Sequence, residues 1–112
     1  MKRGEIWRVT FDPQVGSEIR KERPAIIISD DNLEAQKLRV VVPLTSWQPK
    51  FASWHWMVGI KPDGTNRLSN ESAANALQVK SVSTERFVER VGALSAEDME
   101  DVVAAVAIVI GL

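Results

Sequence analysis

At 112 residues the chain is sized for one domain, residues 1–112. Such a chain buries about two-thirds of the surface it exposes when unfolded, enough for one modest core. With 45% hydrophobic and 26% charged residues it has the composition of a globular domain, and the absence of cysteine excludes disulfides, thiolate metal sites and thiol catalysis. A single histidine, His55, leaves no imidazole pair for acid–base work and is read as structural. The formal net charge of −1 hides an asymmetry: residues 91–112 carry four acids and no base, whereas residues 1–90 carry 14 bases against 11 acids. A body of net +3 suits a polyanionic partner. The four acids equally suit the first turns of a terminal helix.

In chain order, Glu5 to Phe11 is rich in Ile, Trp, Val, Thr and Phe and reads as a first strand, ended by Asp12-Pro13. A polar loop around Gly16 leads to Pro24 and the run Ala25-Ile26-Ile27-Ile28-Ser29, whose unbroken apolarity predicts a strand buried on both faces. Leu38 to Leu44 and His55 to Ile60 read as two further strands, the second followed by a Pro62-Asp63-Gly64 turn. Ser72 to Leu77 reads as a strand or a short irregular piece, and Leu77 to Val82 alternates as a strand should. Residues Ser83 to Phe87 suggest one helical turn, with a strand from Val88 to Leu94. Ser95-Ala96-Glu97-Asp98 is close to a capping box, and Met99, Val102, Val103, Val106 and Ile110 then recur at helical spacing. Many short strands before one terminal helix predict a mainly β domain: a small barrel or strongly bent sheet with helical packing. The N-terminus has no apolar stretch of signal-peptide length, and the longest apolar run, Val102 to Leu112, is too short to span a bilayer. A cytoplasmic location and no membrane association are expected. The last helical turn, Ile108-Val109-Ile110, is apolar around most of its circumference, as a homodimer contact or simple core burial would require.

Two segments carry residue types suited to chemistry. Asp12 to Pro24 places Glu18, Arg20, Lys21 and Arg23 in a polar loop between apolar strands, a frequent position for a site, although a solvated hairpin loop has the same pattern. Val42-Pro43-Leu44-Thr45-Ser46-Trp47-Gln48-Pro49-Lys50 ends an apolar strand with two hydroxyls, an indole and a lysine. Hydroxyls and lysine contact phosphate and Trp stacks on bases; a Thr-Ser turn with Trp47 as an anchor is the structural alternative. Trp54 and Trp56, two apart, are expected on one face of a strand, with one of them in the core.

Gly4-Glu5-Ile6-Trp7, Phe11-Asp12-Pro13, Gly16-Ser17-Glu18 and Arg23-Pro24-Ala25 resemble the opening of the MazF/PemK family of toxin endoribonucleases. Pro43-Leu44-Thr45-Ser46 is similar to that family's second motif. Ser72-Ala73, Leu77 to Val82, Arg86-Phe87 and Val91-Gly92-Ala93-Leu94 resemble its third region. The resemblance runs through essentially the whole chain in order. It implies an SH3-like barrel with appended helices and a C-terminal α-helix, a homodimer, and cleavage of single-stranded RNA with neither metal nor cofactor. It also implies a cognate antitoxin that blocks the RNA groove. By motif position the family's catalytic arginine falls on Arg23, its catalytic threonine on Thr45 and its loop glutamate on Glu18. Arg20 and Lys21 are then expected on the RNA backbone, with Ser46, Trp47, Gln78 and Lys80 lining the groove. The same fold also serves a DNA-gyrase-poisoning toxin, so a non-catalytic binding module such as a gyrase inhibitor is the alternative reading.

Metal-free RNA cleavage needs a base for the 2′-hydroxyl, an acid for the 5′-oxygen and a cation for the phosphorane. Arg23 offers planar bidentate charge. Glu18 is placed either as base or as an orienting group, and Thr45 as a donor to a non-bridging oxygen. The expected products are a 2′,3′-cyclic phosphate and a 5′-hydroxyl.

Overall fold

The longest of the described strands changes partner along one of its edges. In the computed structural model, which describes residues 1–11, 22–33 and 35–112, seven strands form one antiparallel sheet: β1 (Glu5–Thr10), β2 (Glu22–Ile27), β3 (Leu38–Ser46), β4 (Met57–Ile60), β5 (Ser72–Asn75), β6 (Lys80–Ser83) and β7 (Phe87–Ala93). One α-helix among the described residues, α1 (Ala96–Val109), follows β7. The strand order is β4-β5-β3-β2-β1-β7, with β6 also paired to β3. One edge of β3 is shared: residues 38–41 pair with β6 and residues 44–46 with β5. Pro43, which has no N–H to donate, sits between those two segments and is paired only to Ala25 of β2. The mainly β architecture with its C-terminal helix is as expected. Among the described residues, however, the ladder is bent and open rather than closed into a barrel, because β4 and β7 remain its two ends.

Both faces of the central strands are buried. Ile6, Ile26, Val42, Leu44, Ile60 and Ala74 pack with Leu94 and Val102, joined by Met99 and Val106 of α1. Val9, Ala25, Ile27, Val41 and Val82 form a second core on the opposite face, with Trp7, Phe11 and Phe87 against it. The unbroken run in β2 thus divides by parity, Ile26 to one core and Ala25 and Ile27 to the other. Each fully buried branched side chain contributes about 1.5–3 kcal/mol.

The N-terminal motif has a structural reason. Gly4, at φ +90°, donates to the Ile27 carbonyl (2.8 Å), and its own carbonyl accepts from Leu94 (2.8 Å), tying β1 to both neighbours at a conformation few other residues adopt. Glu5 accepts from the Trp7 indole (2.9 Å), the Lys2 amide (2.9 Å) and the Arg90 guanidinium (3.0 Å). Burial alone would raise its carboxyl pKa, but these hydrogen bonds and the N-terminal ammonium outweigh it and hold the value at about 2.

The loop after β4 is built around Asn66, which is wholly buried. Its side-chain oxygen accepts from the Asp63 and Leu68 amides (3.1 and 3.0 Å) and its amide donates to the Lys61 carbonyl (2.9 Å). Asp63 in turn accepts from Thr65 and Asn66 (2.8 and 2.7 Å). This knot lies against Gly92 of β7, and the Ala93 amide donates to the Thr65 carbonyl (3.1 Å).

Ser95 caps α1 as expected, accepting from the Asp98 amide at 3.1 Å. The apolar stripe splits. Val102 is buried and Met99 and Val106 pack on the core, whereas Val103 and Ile110 join Ile108 and Leu112 outside.

Two expectations need correction. Leu77 to Val82 is not one strand: Ala76–Gln78 form a single 3-10 turn capped by the Asn75 side chain, which accepts from Leu77, and β6 starts at Lys80. Trp54 and Trp56 do not share a strand face either. Pro49 starts a 3-10 turn over Pro49–Ser53, so pairing is delayed until Met57 and the two indoles meet as a stack, 5.4 Å between ring centres.

Candidate active site

The register of β2 against β3, Ala25 with Pro43 and Ile27 with Val41, continued two residues outward, sets Arg23 opposite Thr45. Directly paired residues point to the same side of a sheet. The two side chains meet there: Arg23 Nη1 donates to Thr45 Oγ1 at 3.4 Å, and both residues are half-buried. A hydroxyl has one proton and two lone pairs. Donation from Arg23 therefore leaves the Thr45 proton free for an anionic ligand. The pair lies on the face of the second core, beyond the point where its apolar filling ends.

Lys80 reaches the same face. It stands opposite Val41 in the β3–β6 ladder, and its ammonium lies 5.3 Å from the centre of the Phe11 ring. Arg23, Thr45 and Lys80, far apart in the chain, thus line one side of the sheet. On the other face, Arg8 forms ion pairs with Glu22 (3.0 Å) and Glu89, which fixes the strand end next to Arg23.

Trp47 adjoins this site. Its amide donates to the Glu71 carbonyl (3.0 Å), extending the β3–β5 ladder by one residue, and its indole makes an edge contact with Phe51, 5.8 Å between ring centres. Ser46 is exposed, and strand alternation turns it to the face opposite Thr45. Gln78 is exposed at the end of its 3-10 turn, outside the β6 ladder. Glu18, Arg20 and Lys21 lie outside the described residues. His55 is exposed between Trp54 and Trp56. Sequence reasoning missed two participants. Phe11, which supports Lys80, was marked by the Phe11-Asp12-Pro13 motif but not as a site residue. Gly59, which lies beneath Trp47, could be placed there only by pairing.

A family model described as PemK-like, MazF-like toxin of type II toxin–antitoxin systems matches residues 2–110. The chain belongs to this toxin family. Among curated relatives of this MazF-like toxin, Endoribonuclease MazF9 of Mycobacterium tuberculosis is 35% identical over 105 residues, covering 88% of the chain and 86% of that protein. Endoribonuclease MazF6 of the same species is 29% identical over 104 residues, with 91% and 90% covered. Solved structures with the same fold include a mycobacterial endoribonuclease in complex with its cognate antitoxin, with TM-score 0.79, 19% identity, and 100% of this chain and 96% of that one covered. A MazE–MazF crystal structure from Deinococcus radiodurans aligns with TM-score 0.77 and 20% identity, covering 100% and 96%. Arg23 and Thr45, two of the motif positions that carry the resemblance in the MazF-like toxin, thus lie at the facing ends of β2 and β3. No helix among the described residues is long and apolar enough to cross a membrane.

Proposed function

We propose that this MazF-like toxin is a sequence-specific endoribonuclease that cleaves single-stranded RNA, mRNA in the cell, without a metal ion, leaving 2′,3′-cyclic phosphate and 5′-hydroxyl ends. The observation that carries the reading is the Arg23–Thr45 pair, a guanidinium and a hydroxyl held together at the open end of one sheet face. In the transesterification the 2′-oxygen attacks phosphorus as its proton is removed, and the P–O5′ bond breaks, the departing 5′-oxygen taking a proton from solvent to become the 5′-hydroxyl. Arg23 neutralises the charge that builds on the non-bridging oxygens, and its planar fork suits two of them at once. Thr45 donates its remaining proton to a non-bridging oxygen. Glu18 takes the 2′-hydroxyl proton or orients a cation, and Arg20, Lys21 and Lys80 hold the backbone. Trp47 and Gln78 complete the binding surface, and Ser46, on the opposite face of β3, falls outside it.

The relatives' names and the antitoxin complexes support two partners: RNA as substrate and a cognate antitoxin that occupies the same groove. A second copy of the chain is the third, and the outward Val103, Ile108 and Ile110 of α1 supply apolar surface for it. The proposed compartment is the cytoplasm.

The test is incubation of a long single-stranded RNA in EDTA with wild type and Arg23→Ala, followed by end-group analysis. Discrete cuts with cyclic-phosphate ends, lost in the variant, support the reading. A requirement for Mg²⁺ with 5′-phosphate products overturns the mechanism, and no cleavage by folded wild type overturns the activity.

A further inference from the structure

A cross-strand row runs from the Arg23–Thr45 pair toward the sheet edge. Thr45 of β3 is paired with Ala73 of β5, and Ala73 with Gly59 of β4. Residues paired in this way face the same side, so along the row the side chains shrink from guanidinium to hydroxyl, methyl and hydrogen. Trp47 fills the space this leaves. A methyl placed on Gly59 would meet the indole's benzenoid ring at 3.5–3.9 Å, the separation of ordinary packing. The ring therefore lies over Gly59 with room for little more than a Cβ between them. Phe51 holds its edge at an interplanar angle of 84°, and Trp47 keeps part of its surface open to solvent. Gly59 lies two strand spacings from Thr45, about 10 Å across the sheet. That places the indole beside the phosphate-binding pair and within reach of a nucleotide flanking the cut.

We infer that Trp47 is the stacking platform for the nucleobase next to the scissile phosphate, and that Gly59 is the positioning residue that seats it. The inference rests on the ribonuclease reading above. An indole suits this role because every base presents a π-face to it, and the flat seat on Gly59 orders the ring before RNA arrives. Lys50 adds positive charge to the same loop. Its ammonium lies 5.9 Å from the Phe51 ring centre and 5.7 Å from that of Trp54, so the loop that carries the platform also favours the polyanion. Trp56 of the Trp54–Trp56 stack continues the register that sets Met57 opposite Asn75, one residue before Met57, which places it on the face opposite Gly59.

The test is an abasic scan. A short RNA containing a mapped cut site is synthesised with the base removed at each flanking position in turn, and cleavage is followed in EDTA for wild type, Trp47→Leu, Trp47→Met, Trp47→Phe and Gly59→Val. In wild type, base removal at one flanking position should lower kcat/KM by about 5- to 100-fold, the range that base–aromatic stacking gives. In Trp47→Leu the same removal should cost less than about 2-fold, because the indole and the base are the two ends of one interaction. Gly59→Val, which occupies the seat while leaving every aromatic ring in the chain, should match Trp47→Leu. Trp47→Phe should keep most of the sensitivity, since a ring remains to stack, and Trp47→Met, expected to behave as Trp47→Leu, preserves the test should Trp47→Leu fail to fold. Sensitivity equal to that of wild type at every position in Trp47→Leu or Trp47→Met overturns the platform. Wild-type sensitivity in Gly59→Val overturns the role of Gly59. Wild type that cuts RNA but is insensitive to base removal overturns this inference alone, whereas wild type that cuts no RNA overturns the ribonuclease reading and the inference with it.

Discussion

Gly92→Ala should be the most damaging glycine-to-alanine change among the described residues. A Cβ on Gly92 would lie 2.4 Å from the Asn66 carbonyl oxygen, 2.6 Å from that of Thr65 and 2.7 Å from the Asn66 carbonyl carbon. These contacts are roughly 1 Å inside van der Waals separation. All three atoms are backbone, so no side chain can swing away. The loop is also the wrong one to ask to retreat, because Asn66 and Asp63 lock it through five hydrogen bonds of 2.7–3.1 Å. Displacing it sacrifices the Ala93-to-Thr65 hydrogen bond on the same strand. Overpacking of about 1–3 kcal/mol and about 1 kcal/mol for the hydrogen bond give an expected loss of about 3 kcal/mol. For a domain of this size that lowers Tm by roughly 12 °C. The assay is urea unfolding and thermal melting in an Arg23→Ala background, which keeps activity from limiting expression. Gly64→Ala is the control, since nothing lies within 4 Å of its added methyl. If Gly92→Ala falls within about 0.5 kcal/mol of Gly64→Ala, the packing argument is refuted.

Arg23→Ala should reduce RNA cleavage by about 100- to 1,000-fold, the loss typical of a preorganised donor to a developing anion, and Arg23→Lys should restore only part of it because an ammonium lacks the planar fork. Thr45→Val should cost at least about 10-fold, and cleavage within 2-fold of wild type would remove Thr45 from the reacting groups. Lys80→Ala, assayed for binding in the Arg23→Ala background, should weaken RNA at low salt and make the slope of log affinity against log salt shallower by about 0.7; an unchanged slope would exclude a phosphate contact. Glu5 governs the acid limb of stability. Its folded pKa of about 2 lies below its ordinary 4.5, so its contribution is complete above pH 4.5 and is lost as pH falls toward 2. A full shift of that size is worth about 3 kcal/mol, and solvent screening brings the expected value to about 1–2 kcal/mol. Asp98, pushed up by burial and by Asp101, Asp63 and Glu97 nearby, acts in the opposite direction as pH rises. Denaturation of Glu5→Gln between pH 2 and pH 6 should therefore show a flatter acid limb than wild type, and a parallel curve would contradict the assignment.

Local rules sufficed wherever one segment's own chemistry decided its form. The β-branched run of β2 had no alternative to burial on two faces, and the Ser95 cap with acids behind it fixed where α1 starts. The order of short motifs likewise marked Arg23 and Thr45 individually. Local rules failed where a turn competed with alternation: in Leu77 to Val82 the Asn75 cap stabilised a 3-10 turn that hydrophobic period cannot register, and at Trp54 and Trp56 Pro49 did the same. No sequence pattern states that β3 changes partners at Pro43, which leaves the sheet bent and open. That change of partner carries Arg23, Thr45, Ala73 and Gly59 into one row and brings Lys80 to the same face. The amino-acid sequence determined which residues can bind a phosphate or stack on a base. Strand register, set by the simultaneous packing of two cores, decided which of them meet, because a slip of one residue in any ladder would turn each of them to the other side of the sheet.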